Sequence, residues 1–267
     1  MYASDDFSPD FWLWGQRGND YARLRKRVDD VKKISQSSIL IAGCGTGRDV
    51  TSWLKYHPIK IIGLDLYDHD EAWRSIKHIA GVVSPSTKID FMQGNLENLA
   101  NIESNSLDII SSDAVFEHLK NFPQVLREFK RVLRPNGILY ATFGPLWFSW
   151  GGDHYSGHED SNSGYNHLLL SQFEYVKYLN IDQKKEYSED DGLNWIKEGL
   201  FSYLRPLEYI TILEEVGYRK VKWGAIVDPR AVSFSKKNPN IWNSLRKRHS
   251  EHDLLITGMT VIYRNHK

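Results

Sequence analysis

The chain has 267 residues, 41% of them hydrophobic and 25% charged, which suits a folded chain with a sizeable core and excludes wholesale disorder. Thirty-four Lys plus Arg balance thirty-four Asp plus Glu, and this argues against an enzyme that grips nucleic acid mainly through its phosphates. The single cysteine, Cys44, excludes an intramolecular disulfide and favours a reducing compartment.

The opening stretch MYASDDFSPDFWLWGQRGND is acidic and aromatic and does not read as a secretory leader. No apolar run approaches the roughly 20 residues of a spanning helix, so a cytoplasmic protein without a membrane span is expected. Leu24, Val28, Val31 and Ile34 recur at helical spacing and predict an amphipathic helix over 21–34, part of an N-terminal cover over 1–36. SILIA at 38–42 reads as a buried strand, followed by a glycine turn and a helix over 48–56 that His57-Pro58 ends. Strand 60–65, helix 70–80, strand 88–93 and strand 107–112 come next. Helix 121–134 carries Phe122, Val125, Leu126, Phe129, Val132 and Leu133 on one face, stops at Pro135-Asn136-Gly137, and precedes strand 138–143.

Strands alternating with helices at this spacing predict βαβ units and a parallel sheet. Residues 144–204 break the rhythm, first loop-like and aromatic (GPLWFSWGGDHYSGHEDSNSGYNH), then helical (LLLSQFEYVKYL and LNWIKEGLFSYL). An insertion of this kind is expected to cover a substrate site. A helix over 206–216, a strand over 221–227 and a last strand over 254–263 complete one domain over 1–267.

Gly43-x-Gly45-x-Gly47, between a buried strand and a helix, is a turn that lets a ligand approach the backbone and its free N–H groups. A tight strand–helix turn alone would also use such glycines. Asp65, ending the second strand, sits where an acid reaches ribose hydroxyls in Rossmann-like sites. NAD is the obvious alternative ligand, but its G-x-G-x-x-G fingerprint needs a glycine where this chain has Arg48. S-adenosylmethionine (SAM) brings no diphosphate to hold.

Five segments in order now make the chain similar to the class I SAM-dependent methyltransferases. ILIAGCGTGRD at 39–49 resembles the family's first motif, and Asp65 in IIGLD its acid after strand two. Gly94-Asn95-Leu96 resembles the segment beside adenine, SLDIISSDAVFEHL at 106–119 the fourth strand, and FKRVLRPNGILYATF at 129–143 the helix–turn–strand that follows. RPLEYITILEEVGYR at 205–219 has the form of the family's C-terminal helix. The resemblance implies an α/β Rossmann-like fold, a seven-stranded mostly parallel sheet of order 3-2-1-4-5-7-6 with helices on both faces. It also implies SAM as cofactor, S-adenosylhomocysteine as product, and Gly43, Cys44, Gly45, Gly47, Asp65, Leu66, Asn95, Leu96 and Ser112 as the cofactor-binding residues. The aromatic segment 7–21 is expected to close over the cofactor, with Arg17 among its contacts, or else to pack Trp12 and Trp14 onto the core. Ile41 stands where the family often has an acid, and Asn95 where it commonly has Asp.

The resemblance further implies direct displacement of a methyl group from a sulfonium, which chiefly requires in-line positioning. A general base helps if the acceptor is a hydroxyl or a protonated amine. Ligands of open α/β sheets lie outside the carboxyl ends of the strands. Glu117 and His118 follow strand four there, and His154, His158 and His167 lie in the insertion with Asp153, Glu159 and Asp160 among Trp147, Phe148, Trp150, Tyr155 and Tyr165. A polar pocket with apolar walls is expected, with His118, His154 and His158 as the catalytic candidates. A capping role for the Glu117-His118 pair, and surface roles for single histidines, are the competing structural readings. No metal is expected. Gly151-Gly152 and Gly157 oppose a helix that presents His154 and His158 together, and the Glu-x-x-Glu-His pattern by which some relatives hold an ion has Ala114 at its first position.

The acceptor is expected to be a small polar molecule, such as a sugar, a glycan precursor or a secondary metabolite, methylated on a hydroxyl or an amine. The alternatives are a protein or RNA methyltransferase and a catalytically silent SAM-binding partner subunit. The basic clusters RLRKRVDDVKK and RKRH read as solvated helix faces, which makes nucleic acid an unlikely partner, and a homodimer is left open.

Overall fold

The structure is a computed structural model that describes residues 21–155, 162–181 and 192–267. Helix α1 (Tyr21–Val31) buries Leu24 and Val28 and ends before the predicted position 34. Asp29 turns back to accept the Ile34 N–H at 2.9 Å, and Ile34 enters the core through a 3-10 turn. Strand β1 (Ser38–Ala42), helix α2 (Arg48–Leu54), strand β2 (Lys60–Asp65), helix α3 (Asp70–Val83) and strand β3 (Lys88–Gln93) alternate as predicted. They lead to strand β4 (Leu107–Asp113), helix α4 (Phe122–Val132) and strand β5 (Leu133–Phe143). The 144–204 region carries helices α5 (Asn166–Leu169), α6 (Gln172–Ile181) and α7 (Gly192–Glu198). Helix α8 (Pro206–Glu215) and strand β6 (Tyr218–Val227) follow. Helices α9 (Pro229–Lys237), α10 (Pro239–Leu245) and α11 (Glu251–Leu255) precede strand β7 (Ile256–Asn265).

The seven strands form one sheet of order β3-β2-β1-β4-β5-β7-β6, as the resemblance implied. β7 runs antiparallel to β5 and β6, and the other neighbours are parallel. Strand alternation divides the core between the two faces. Leu40, Ala42, Leu64 and Ile110 pack with Phe122, Phe129 and Leu213 from α4 and α8. Ile39, Ile41, Ile109 and Tyr140 pack with Val28, Trp53 and Trp73 from α1, α2 and α3.

Three features depart from expectation. β5 begins at Leu133 instead of 138, and its ladder with β4 shifts register between Leu107 and Ile109, which admits the Pro135-Asn136-Gly137 turn into the strand. Leu254 and Leu255 end a helix and do not begin the last strand. The segment between β6 and β7 folds into three short helices, two of them started by proline in the first turn and one by a Ser250/Asp253 capping box. Phe234, Trp242, Leu245 and Leu254 of these helices pack on Trp150 and Tyr165, and the Tyr165 hydroxyl donates to the Leu254 carbonyl at 2.7 Å. The inserted segment is thereby tied to the connection between β6 and β7.

Arg25 of α1 is fully buried and paired with Asp113 at the end of β4. The Tyr140 hydroxyl donates to Asp113 at 3.0 Å, and the guanidinium also donates to Ser52 Oγ at 3.0 Å and lies 4.4 Å from the Trp53 ring centre. A charge this deep persists because its partners replace water almost completely.

Candidate active site

The glycine loop leaves β1 with three positive φ values in succession: +71° at Gly43, +48° at Gly45 and +86° at Gly47. A side chain at Gly43 is excluded twice, by its φ and because a Cβ would lie 2.2 Å from Val115. Gly45 differs, since no heavy atom lies within 4 Å of its Cβ position; the loop is open on that side. Its N–H donates to Asp65 Oδ2 at 2.7 Å, and its carbonyl accepts from the Trp73 indole at 2.8 Å. Trp73 stacks on Phe91 with ring centres 5.3 Å apart. Asp65 thus pins the loop and the next turn, accepting the Tyr67 N–H at 3.1 Å, and each carboxylate oxygen keeps a further lone pair for a ribose hydroxyl. The Cys44 thiol, buried in the loop, is pushed up to about 12 by burial and by the charge of Asp65.

Leu66 and Asn95 are exposed, and the Asn95 side-chain oxygen accepts the Glu97 N–H at 2.9 Å, the contact of a turn residue. Leu96 and Ser112 face inward. Leu96 belongs to the α4–α8 core, and the Ser112 hydroxyl donates to the Ala42 carbonyl at 3.1 Å, tying β4 to β1. Arg17 and His158, together with Trp12 and Trp14, lie outside the described residues.

Beyond the glycine loop, β4 leads through Ala114 at φ +56° into a 3-10 turn over Phe116–His118. Glu117 is buried; Oε1 accepts the Gly144 N–H at 2.8 Å and Oε2 has no hydrogen-bond partner. The Glu117 carbonyl accepts the Ser202 N–H at 2.8 Å. His118 Nδ1 lies 2.7 Å from the Leu200 carbonyl, and His154 Nε2 lies 2.8 Å from the Pro145 carbonyl. A carbonyl can only accept, so these two nitrogens carry the protons, and each neutral ring keeps a lone pair on its other nitrogen. The two rings meet with centres 4.9 Å apart, against Trp195 and Phe201. One potential ligand atom from each of Glu117, His118 and His154 lies within 4.8 Å of the others. Burial lowers the pKa of His118. It lowers that of His154 to about 4, with His118 adding to the effect, and lifts the Glu117 carboxyl to about 8.

The structure brings His118 and His154, which the sequence reading expected in one polar pocket, into ring contact and sets Glu117 beside them. His167 stands in another network, with Nε2 2.7 Å from the Trp147 carbonyl and Nδ1 3.8 Å from Asp153, whose carboxylate accepts the Tyr175 hydroxyl at 2.6 Å. Trp195, Phe201 and the Leu200 carbonyl were missed as site elements. Their signal was an aromatic pair around Gly199, whose φ of +61° turns the chain back onto His118.

The family described as "Methyltransferase domain" matches residues 40–141, which run from β1 into β5. A malonyl-acyl-carrier-protein O-methyltransferase of Halalkalibacterium halodurans is 28% identical over 229 residues, covering 80% of this chain and 77% of that protein. Among solved structures, a SAM-dependent methyltransferase from Mesorhizobium loti superposes with TM-score 0.53 at 16% identity over 91% of this chain and 95% of its own. A geranyl diphosphate methyltransferase in complex with SAM superposes with TM-score 0.54 at 11% identity over 92% and 85%. The domain match over residues 40–141 and the methyltransferase relatives support a SAM-dependent methyltransferase, and the solved structures share its class I fold. Among the described residues, no helix is long and apolar enough to cross a membrane.

Proposed function

We propose that this methyltransferase acts on a hydroxyl of a small polar acceptor, a sugar, glycan precursor or secondary metabolite. The observation that carries this reading is the convergence of Glu117, His118 and His154 beside aromatic walls. The backbone carbonyls of Leu200 and Pro145 orient both imidazoles so that each keeps an unprotonated nitrogen. Such groups accept a hydrogen bond from an acceptor O–H and draw off its proton as the new bond forms.

For the cofactor, the open face of Gly45 and the free lone pairs of Asp65 fit SAM, with Leu66 and Asn95 at the rim of its adenine end. When bound, SAM supplies a methyl group already activated on a sulfonium. Residues 144–204 act as the acceptor-site cover, because His154, Trp195, the Leu200 carbonyl and Phe201 all come from them. The test is mass spectrometry of the purified protein incubated with SAM and a panel of sugars, nucleotide sugars, phenols, amines and a malonyl carrier thioester. Methylated hydroxyl products are expected. Methylation of the malonyl thioester or of amines alone would overturn the reading.

A further inference from the structure

We propose that Glu117, His118 and His154 bind a divalent first-row transition-metal ion. With Glu117 ionised, the three side chains present electron pairs and no donor within the cluster. Glu117 Oε2 is buried without a hydrogen-bond partner, and His118 and His154 each commit their N–H to a carbonyl outside the cluster. A buried carboxylate oxygen left unpartnered is costly, and two neutral imidazoles with their N–H groups committed elsewhere bring it no positive charge. One cation answers all three at once.

The surrounding contacts are those of a metal site. Imidazoles that ligate a metal commonly donate their other N–H to a carbonyl or carboxylate, which fixes the tautomer and the ring orientation, and ligating carboxylates are themselves hydrogen-bonded. Leu200, Pro145 and the Gly144 N–H play those parts here, at 2.7, 2.8 and 2.8 Å. The ligand atoms stand within 4.8 Å of one another, and closing on an ion with bonds of about 2.1 Å asks only for side-chain adjustments of about an ångström. Two imidazoles and one carboxylate favour zinc, iron(II), manganese(II) or cobalt(II) over magnesium or calcium, which prefer all-oxygen sets.

The third ligand comes from the inserted segment and not from the turn after β4, where Ala114 offers none. Loading should therefore stabilise that segment against β4. Three protein ligands also leave coordination positions open, through which an acceptor hydroxyl would be bound and acidified. In the loaded protein the two imidazoles are ligands and the ion takes over from them the task of acidifying the hydroxyl; that use rests on the hydroxyl reading above, whereas the binding itself does not.

The experiment is titration of the metal-stripped protein with cobalt(II), read by its visible ligand-field bands, and with zinc chloride by calorimetry. One ion per chain is expected, with affinity reduced at least about 100-fold in His118→Ala and in His154→Ala and unchanged in His57→Ala. Zinc-edge X-ray absorption of the wild-type protein checks the ligands without a variant, and two imidazole nitrogens plus carboxylate oxygen are expected. No stoichiometric binding, bands retained in both histidine variants, or a spectrum without imidazole would each overturn the proposal. SAM titration of the same stripped protein separates the two readings: SAM binding without metal binding sinks only this site, and metal binding without SAM binding sinks only the cofactor assignment.

Discussion

Gly43, Gly45, Gly47 and Asp65, in the proposed cofactor half of the site, all belong to one β–α–β unit, and the loop and the acid are joined directly by the Gly45 N–H. In the proposed acceptor half, Glu117 and His118 meet His154, Trp195 and Phe201 only because the chain leaves the sheet after β5, packs on helices α9 to α11, and returns. The contrast teaches that this scaffold keeps its shared task in contiguous sequence and its particular task in long-range contacts. A loop built from neighbouring residues tolerates a changing insertion, and the insertion can then be shaped to a different acceptor.

The sharpest break between the halves is Gly45→Arg. The new side chain enters open space but at a φ of +48°, a strain of about 1–2 kcal/mol that unfolding measurements should show the fold to survive, and SAM affinity is expected to fall at least about 100-fold, roughly 3 kcal/mol, by calorimetry. Affinity like the wild type would move the cofactor away from this loop. Arg25→Met probes the strut between α1 and the end of β4. Leaving Asp113 buried without its cation, with the Tyr140 hydroxyl still donating to it, should cost about 3–5 kcal/mol in denaturant unfolding, and Arg25→Met/Asp113→Leu should cost less than the sum of the single changes. An additive double variant would show that the pair is not coupled.

On the acceptor side, His154→Ala is expected to lower kcat about 10²–10⁴-fold with the SAM dissociation constant within about twofold of wild type. Equal losses in SAM binding would mean that the two halves are not separable. The smallest expected effect concerns Cys44. Its thiol is pushed up to about 12, so the reactive thiolate is scarce below that pH, and iodoacetamide at pH 8 should label it slowly in the folded protein and readily in denaturant. Fast native labelling would show a loop that opens on its own.

Most strands and the glycine loop were legible because they are written in local apolar runs and in turn chemistry. Asp65 was legible as well, although the structure shows it serving the Gly45 amide in addition to any ribose. Ser112 and Leu96 were harder: their spacing is right for a cofactor contact, but strand alternation and core packing turn their side chains inward. Helices α9 to α11 carried readable caps at Asp228 and Ser250, yet segments this short hold only through tertiary packing, here against Trp150 and Tyr165. Arg25 shares a helical face with Val28, and a basic residue on an apolar face was the available sign of a buried ion pair.

By itself the sequence determined the alternation of strands and helices, the turn at Gly43, Gly45 and Gly47, and the placing of an acid at the end of β2, because each depends on residues within a few positions of one another. Only the tertiary structure decided that Glu117, His118 and His154 face one another and which imidazole nitrogens are left free. Those outcomes depend on carbonyls at Leu200 and Pro145, whose positions follow from how the inserted segment packs and from no local pattern.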